Sequence, residues 1–317
     1  MADKSFGSAA SNLLCTDDSS ELLTGPPLQS EESFYLMIES EKHHLPRDDY
    51  LKRLRTGGPD LGMRRQAVDW IWKVHAHFSF RPLSFCLSMN YLDRFLSAFE
   101  LPRGQAWPVQ LLAVACLSLG IKMEETTVPL SVDLQVGEPQ FVFEGKTIQR
   151  MELLVLSTLN WKMQCHTPFS FLDYFLRKIN GDFMSSSLAS RSAQLILSTA
   201  KASAGIDFLE FRPSEIAAAV AISVSNHAQA VAIHKAMPCF LYVEKGKALK
   251  CAELIQDMAL MSGLPTANAP ASSSVAPLIS HSPVRVLDSA ACLSYKTDDL
   301  ATVNGSYADS SSDQSRQ

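Results

Sequence analysis

The amino-acid sequence predicts an all-α protein: two helical bundles in tandem, between an N-terminal and a C-terminal tail. Three observations predict it. Ala67, Ile71, Val74 and Phe78 recur at spacings of 4, 3 and 4, and Phe85, Met89, Leu92, Leu96 and Phe99 at 4, 3, 4 and 3. Each set is the apolar stripe that an amphipathic helix buries. The same organisation returns in the second half, where Phe169, Leu172, Leu176 and Ile179 recur at 3, 4 and 3. Both ends, residues 1–30 and 265–317, are rich in Ser, Asp, Gly or Pro and poor in aromatics, a composition that does not support a packed core.

Taken in chain order, minor helices are expected over Glu32 to Lys42 and Arg47 to Arg55, before Gly57, Gly58 and Pro59 break the chain. The helix carrying Asp69 and Trp70 follows, then the helix carrying Tyr91 to Leu96. Pro108 suits a first helical position, and the near-continuous VQLLAVACLSLGI after it marks a helix enclosed by others. A short piece near Val132 and a helix from Lys146 to Trp161 close the first bundle. Thr167 and Pro168 give an N-cap and first-turn signal before FSFLDYFLRKI. Leu188 to Ala202 forms the next helix, and Pro213 opens SEIAAAVAISV, the counterpart of the central apolar helix. The last helix runs from Lys245 to Met261 and stops at Gly263 and Pro265. The domains are therefore set at 31–165 and 166–264.

Bulk properties narrow the class. A chain of 317 residues, 46% hydrophobic, can bury two cores of ordinary size. A net charge of -5 argues against a nucleic-acid-binding surface spread over the whole protein. Val109 to Ile121 is shorter than the roughly 20 residues a bilayer span needs, and the N-terminus shows no secretory pattern, so no membrane is expected. Seven cysteines scattered from Cys15 to Cys292 without a C-x-x-C suit a reducing compartment and suggest neither a disulfide framework nor zinc. No phosphate-binding, dinucleotide, zinc-protease or nucleophile-elbow motif is present. His75 and His77, two apart on a helix, point about 200° away from each other and make a poor metal pair. They read as helix-surface histidines, as do His43 and His44. No catalytic residue, metal or cofactor is expected.

Arg64 and Asp93 sit beside apolar positions in the first two major helices. An ion buried alone is costly, so the two are expected to find each other. MRRQAVDWIWKV followed by NYLDRFL resembles the start of a cyclin box, and the resemblance implies two five-helix bundles, each around a central apolar helix. Arg64 and Asp93 match the family's internal salt bridge, a structural role. IKMEE and RMELLVL are similar to the cyclin motifs that carry a Lys and a Glu for binding a partner kinase, which places Lys122 and Glu152 on those positions. By residue type alone, Lys122 would be a cation on a helix C-terminal dipole and Glu152 part of a solvated face. The implied docking surface adds apolar contacts around Leu111, Leu117 and Leu154.

VPLSVDLQVGEPQFVFEGKTIQRMELLVLSTLNW and GIDFLEFRPSEIAAAVAI are similar to plant D-type cyclins over roughly residues 31–264. The resemblance implies a regulatory subunit, not an enzyme, that binds and activates a cyclin-dependent protein kinase at the G1/S transition and directs it to a retinoblastoma-related pocket protein. Kinase inhibitor proteins are further implied partners, and the nucleus, with the cytoplasm second, the implied location. D-type cyclins carry Leu-x-Cys-x-Glu near the N-terminus; here Leu13, Cys15 and Asp17 stand on that motif with the acid shortened by one methylene. The groove where cyclins receive Arg-x-Leu substrates reads Met63, Gln66, Ala67, Trp70 and Lys73, with Val109 and Gln110. Gln66 and Ala67 remove apolar area, and Lys73 sets like charge against an incoming arginine. Ser282 before Pro283 is the candidate phosphorylation site. The alternative class is a cyclin-fold transcription factor, against which the charge balance and the lack of paired cysteines speak. An all-helical enzyme with an unusual site is a third.

Overall fold

The computed structural model describes residues 30–261 except 58, 103, 138, 182–184, 202–204 and 226–228. Leu13, Cys15, Asp17, Ser282 and both tails lie outside the described residues.

The first bundle is built from α3 (Pro59–Phe78), α4 (Pro82–Ala98), α5 (Trp107–Glu124) and α6 (Gly145–Thr158), with α2 (Tyr50–Arg55) against α3. α5 is its axis. Every residue from Pro108 to Ile121 is buried, because α3, α4 and α6 surround it. The approach of α4 to α5 requires a glycine: a Cβ on Gly120 would overlap the Ser88 hydroxyl and come within 2.8 Å of the Ser84 carbonyl oxygen. The segment near Val132 is a turn over residues 131–134 that buries Leu134. It lies between Pro129 and the left-handed Gly137, too short a span to propagate a helix.

The second bundle repeats the plan with α7 (Pro168–Asn180), α8 (Ser186–Lys201), the single turn α9 (Gly205–Phe208), α10 (Pro213–Val224), α11 (Gln229–Ala236) and α12 (Lys245–Met261). α10, buried over most of its length, packs against α7, α8, α11 and α12. Proline opens both α7 and α10, where its missing N–H is no loss.

Beyond shifts of one or two residues at helix ends, two boundaries and one element differ from the sequence reading. α2 begins at Tyr50 rather than Arg47, since Pro46 precedes a turn closed by the Tyr50 N–H on the Arg47 carbonyl. α6 ends at Thr158, because Asn160 and Trp161 adopt left-handed backbone angles of φ 53° and 60°. α11 was not anticipated; eight residues of QAVAIHKA carry too short a period to announce a helix.

α1 (Glu31–Glu41) precedes the first bundle in sequence but belongs to the core of the second. Phe34 is buried there, stacked on Tyr174 at 3.8 Å and edge-on to Phe171 and Phe175. Glu31 accepts from Tyr174 Oη at 2.6 Å and pairs with Lys178. At the other end of α1, the Glu41 carboxyl group accepts from the Ser214 N–H and hydroxyl at 3.0 and 2.7 Å, seated on the N-terminus of α10. The division at residue 165 therefore separates the boxes in sequence, while α1 crosses it in space.

Candidate partner-binding face

The site forms where the C-terminal end of α5 lies beside α6. Ser118 and Lys122 are four residues apart and so share one face of α5; Glu152 comes from the facing side of α6. Lys122 Nζ lies 2.7 Å from both carboxylate oxygens of Glu152, and the Ser118 hydroxyl donates to Glu152 Oε1 at 2.6 Å. Glu152 is only 7% exposed, whereas the Lys122 side chain is 45% exposed. The outward-pointing glutamate expected from the sequence is thus corrected: its carboxylate is held against α5, and Lys122 is the exposed member of an ion pair. Lys122 does stand in the last turn of α5, as its helix-dipole reading expects, while the solvated-face reading of Glu152 is replaced by the pairing.

The apolar surroundings need a second correction. Leu117 is 0% exposed and Leu111 is buried. Both lie in the first bundle's core, because α5 is covered on every side, and they support the face from beneath. The apolar side chains that reach solvent near the pair are Leu153 and Leu154 on α6 and Met123 on α5.

Elsewhere in the same bundle, Arg64 Nε and Nη2 donate to Asp93 Oδ1 and Oδ2 at 2.7 and 3.1 Å, a two-pronged contact between α3 and α4 with both side chains about 5% exposed. Tyr50 of α2 donates its hydroxyl hydrogen to Asp93 Oδ1 at 2.9 Å. Burial, with Asp93 next, pushes the Tyr50 phenol well above its ordinary range and keeps it a donor. Burial would lower the Arg64 guanidinium, but the opposing Asp93 carboxylate leaves it raised, so the charge stays fixed. One carboxylate thereby ties α2, α3 and α4.

The docking groove is only partly a surface. Gln66 and Lys73 are exposed, and Met63 and Trp70 half-buried, while Ala67, Val109 and Gln110 are buried. Gln110 donates its side-chain amide to the Phe141 carbonyl at 2.7 Å, which turns it inward. The histidines also divide. His77 and His43 are exposed, but His75 is buried with Nε2 3.0 Å from the Arg81 carbonyl oxygen, and His44 is buried with Nδ1 3.2 Å from that of Ser40. Burial lowers both pKa values and favours neutral rings. Among the described residues no group of three acidic, histidine or cysteine side chains could hold a metal, and no helix is long and apolar enough to cross a membrane.

Two site residues were missed in the sequence. Ser118, a polar residue inside an otherwise apolar run, carried a signal; Tyr50, in a minor helix, carried none.

Two bundles of matching plan, each wrapped around a buried helix, with a Lys–Glu pair joining α5 and α6 of the first, define a cyclin fold. Comparison with known proteins agrees. The profile described as "Cyclin, N-terminal domain" matches residues 32–164, and "Cyclin, C-terminal domain" matches residues 166–275. The chain belongs to the cyclin family, in the plant D-type group, whose members are regulatory subunits and not enzymes. It is 53% identical to Cyclin-D4-1 of Oryza sativa subsp. japonica over 287 residues, covering 89% of this chain and 77% of that one. It is 48% identical to Cyclin-D4-1 of Arabidopsis thaliana over 313 residues, covering 92% and 96%. The solved structure of a viral cyclin from herpesvirus saimiri has the same fold, with a TM-score of 0.51 at 16% identity over 63% of this chain and 85% of that one.

Proposed function

We propose that this chain is the regulatory subunit of a cyclin-dependent protein kinase, activates it at the G1/S transition and directs it to a retinoblastoma-related protein. The observation that carries the kinase partner is the Lys122–Glu152 pair beside exposed Leu153 and Leu154. Of the roughly four lone-pair positions of a carboxylate, Ser118 and Lys122 occupy about three, and an ammonium has three N–H groups. The assembled pair therefore keeps one donor and one acceptor, the complement of a peptide unit's C=O and N–H. Leu153 and Leu154 add apolar area, and the polar pair fixes register.

Activation then needs no reacting atom from this chain. A protein kinase requires its mobile αC helix in place so that the glutamate on that helix meets the β3 lysine. A partner that binds the ordered state better shifts the equilibrium by its differential affinity. Co-precipitation and activity assays with a cyclin-dependent kinase test this with the double variant Lys122→Ala, Glu152→Ala. Removing both charges together leaves no ion unpaired, so the native melting transition is expected to survive while kinase binding is lost. Full activation by the double variant would overturn the reading.

Targeting to a retinoblastoma-related protein rests on Leu13, Cys15 and Asp17. Kinase inhibitor proteins as further partners and residence in the nucleus, with the cytoplasm second, follow from the D-type relatives and belong to the same proposal.

A further inference from the structure

Between the two boxes lies a cavity of about 130 Å³ to which no role has been given above. Cys86 and Met89 of α4 form one wall, Ile196 and Ala200 of α8 another, and Phe211 and Ile216 at the start of α10 a third. The linker residues His166 and Thr167 also line it, and the lining surface is predominantly apolar. One water occupies on the order of 10–15 Å³ of such space, so the hollow, which is partly open to solvent, has room for a small organic molecule.

The polar groups on the wall are nearly all committed. Asp93 is held by Arg64 and Tyr50, Asn90 donates to the His44 carbonyl at 2.9 Å, and the Thr199 hydroxyl donates to the Ile196 carbonyl at 2.7 Å. Burial lowers the His166 pKa and favours a neutral ring. Among the described lining residues two are not committed: the half-buried His166 ring makes no hydrogen bond within the chain, and Thr167, 3% exposed, has a hydroxyl with no acceptor there. A buried donor left unmet is uncommon in folded proteins, and a ligand or water normally answers it.

We propose that this cavity binds a small uncharged molecule, about the size of one six-membered ring, whose single hydrogen-bond acceptor is met by Thr167. A charged ligand is disfavoured because the ionic groups among the described lining residues, Arg64 and Asp93, already neutralise each other, so its desolvation would go uncompensated. The walls come from both boxes and the linker, so an occupant bridges α4 with α8 and α10 and stabilises their mutual arrangement. Binding to the folded chain alone raises the melting temperature with ligand concentration.

The test uses the full chain with two probes of similar size, cyclohexanone, which has an acceptor, and methylcyclohexane, which has none. Expected results are a concentration-dependent rise in melting temperature with cyclohexanone, shifts in the methyl NMR signals of Met89 and Ile196, and about tenfold weaker binding of methylcyclohexane, the upper range for one neutral hydrogen bond. Ala200→Leu, which fills the space from the partly exposed side of α8, should abolish both responses while leaving the chain folded. If that variant does not fold, Thr167→Val and Thr167→Ser take its place, with only the serine variant keeping the preference for cyclohexanone. No melting or NMR response to millimolar cyclohexanone would overturn the proposal, as would an undiminished response in Ala200→Leu. Equal affinity for the two probes would overturn the role of Thr167.

Discussion

Ser118 donates its hydroxyl hydrogen to Oε1 of Glu152 at 2.6 Å, from a position one helical turn before Lys122 on the same face of α5. The buried carboxylate is thus held from two sides before any partner arrives. Ser118→Ala removes one of its two holders without touching the exposed surface. A hydrogen bond to a charged group is worth about 1.5–3 kcal/mol, so kinase affinity is expected to fall about tenfold or more, measured by calorimetry on the purified chain. Ser118→Thr, which keeps the hydroxyl, should recover much of it. Native affinity in Ser118→Ala together with loss in Glu152→Ala would show that the serine is dispensable while the glutamate is not.

Asp93 is the shared acceptor of Arg64 and Tyr50, and its partners should respond unequally to deletion. Asp93→Ala leaves the Arg64 guanidinium buried without a counter-ion, which costs about 3–5 kcal/mol. Tyr50→Phe removes one hydrogen bond and is expected to cost about 1 kcal/mol. Urea denaturation of the two variants should therefore separate clearly, and equal losses would mean that the charge is not confined as the geometry implies.

Glu41 makes stability depend on pH near neutrality. Burial lifts its pKa to about 7 against the opposing hydrogen bonds from Ser214, with Arg212 lowering it and Glu215 raising it. The folded state therefore binds the proton more tightly than the unfolded state, and stability falls as pH rises from about 4.5 toward 7. The shift corresponds to a loss on the order of 3 kcal/mol across that window. Glu41→Gln has no proton to lose. Denaturation curves at pH 5 and pH 7.5 should show the native chain weakening relative to the variant, and a constant difference between the two would refute the assignment.

For the N-terminal segment, a peptide of residues 8–22 carries the variant motif with Asp17 one methylene short of glutamate. If its carboxylate meets backbone N–H groups of a retinoblastoma-related pocket domain, the shortened reach should weaken binding by around tenfold, and Asp17→Glu should restore it. Cys15→Ala should cost more by emptying an apolar pocket. Calorimetric titration of the three peptides decides, and an Asp17→Glu peptide that binds no better than the native one removes Asp17 from the contact.

The periodicity of its apolar residues by itself determined that this chain is helical and where most helices run. The 4, 3, 4 stripe through Ala67 and Ile71 is a local property of α3, as is the Thr167–Pro168 start of α7. The charged pairs were nameable from motifs, because Arg64, Asp93, Lys122 and Glu152 stand in recognisable words of sequence. A stripe, however, records that a helix has an apolar side and not which neighbour covers it. Only the tertiary structure decided that Phe34 and Ile38 of α1 enter the second bundle, across the boundary that sequence order suggests. It alone buried Glu152 and His75 and turned Gln110 inward to the Phe141 carbonyl. The exposure of a polar side chain is set by what packs opposite it. For Glu152 that neighbour is Ser118, 34 residues earlier in the chain.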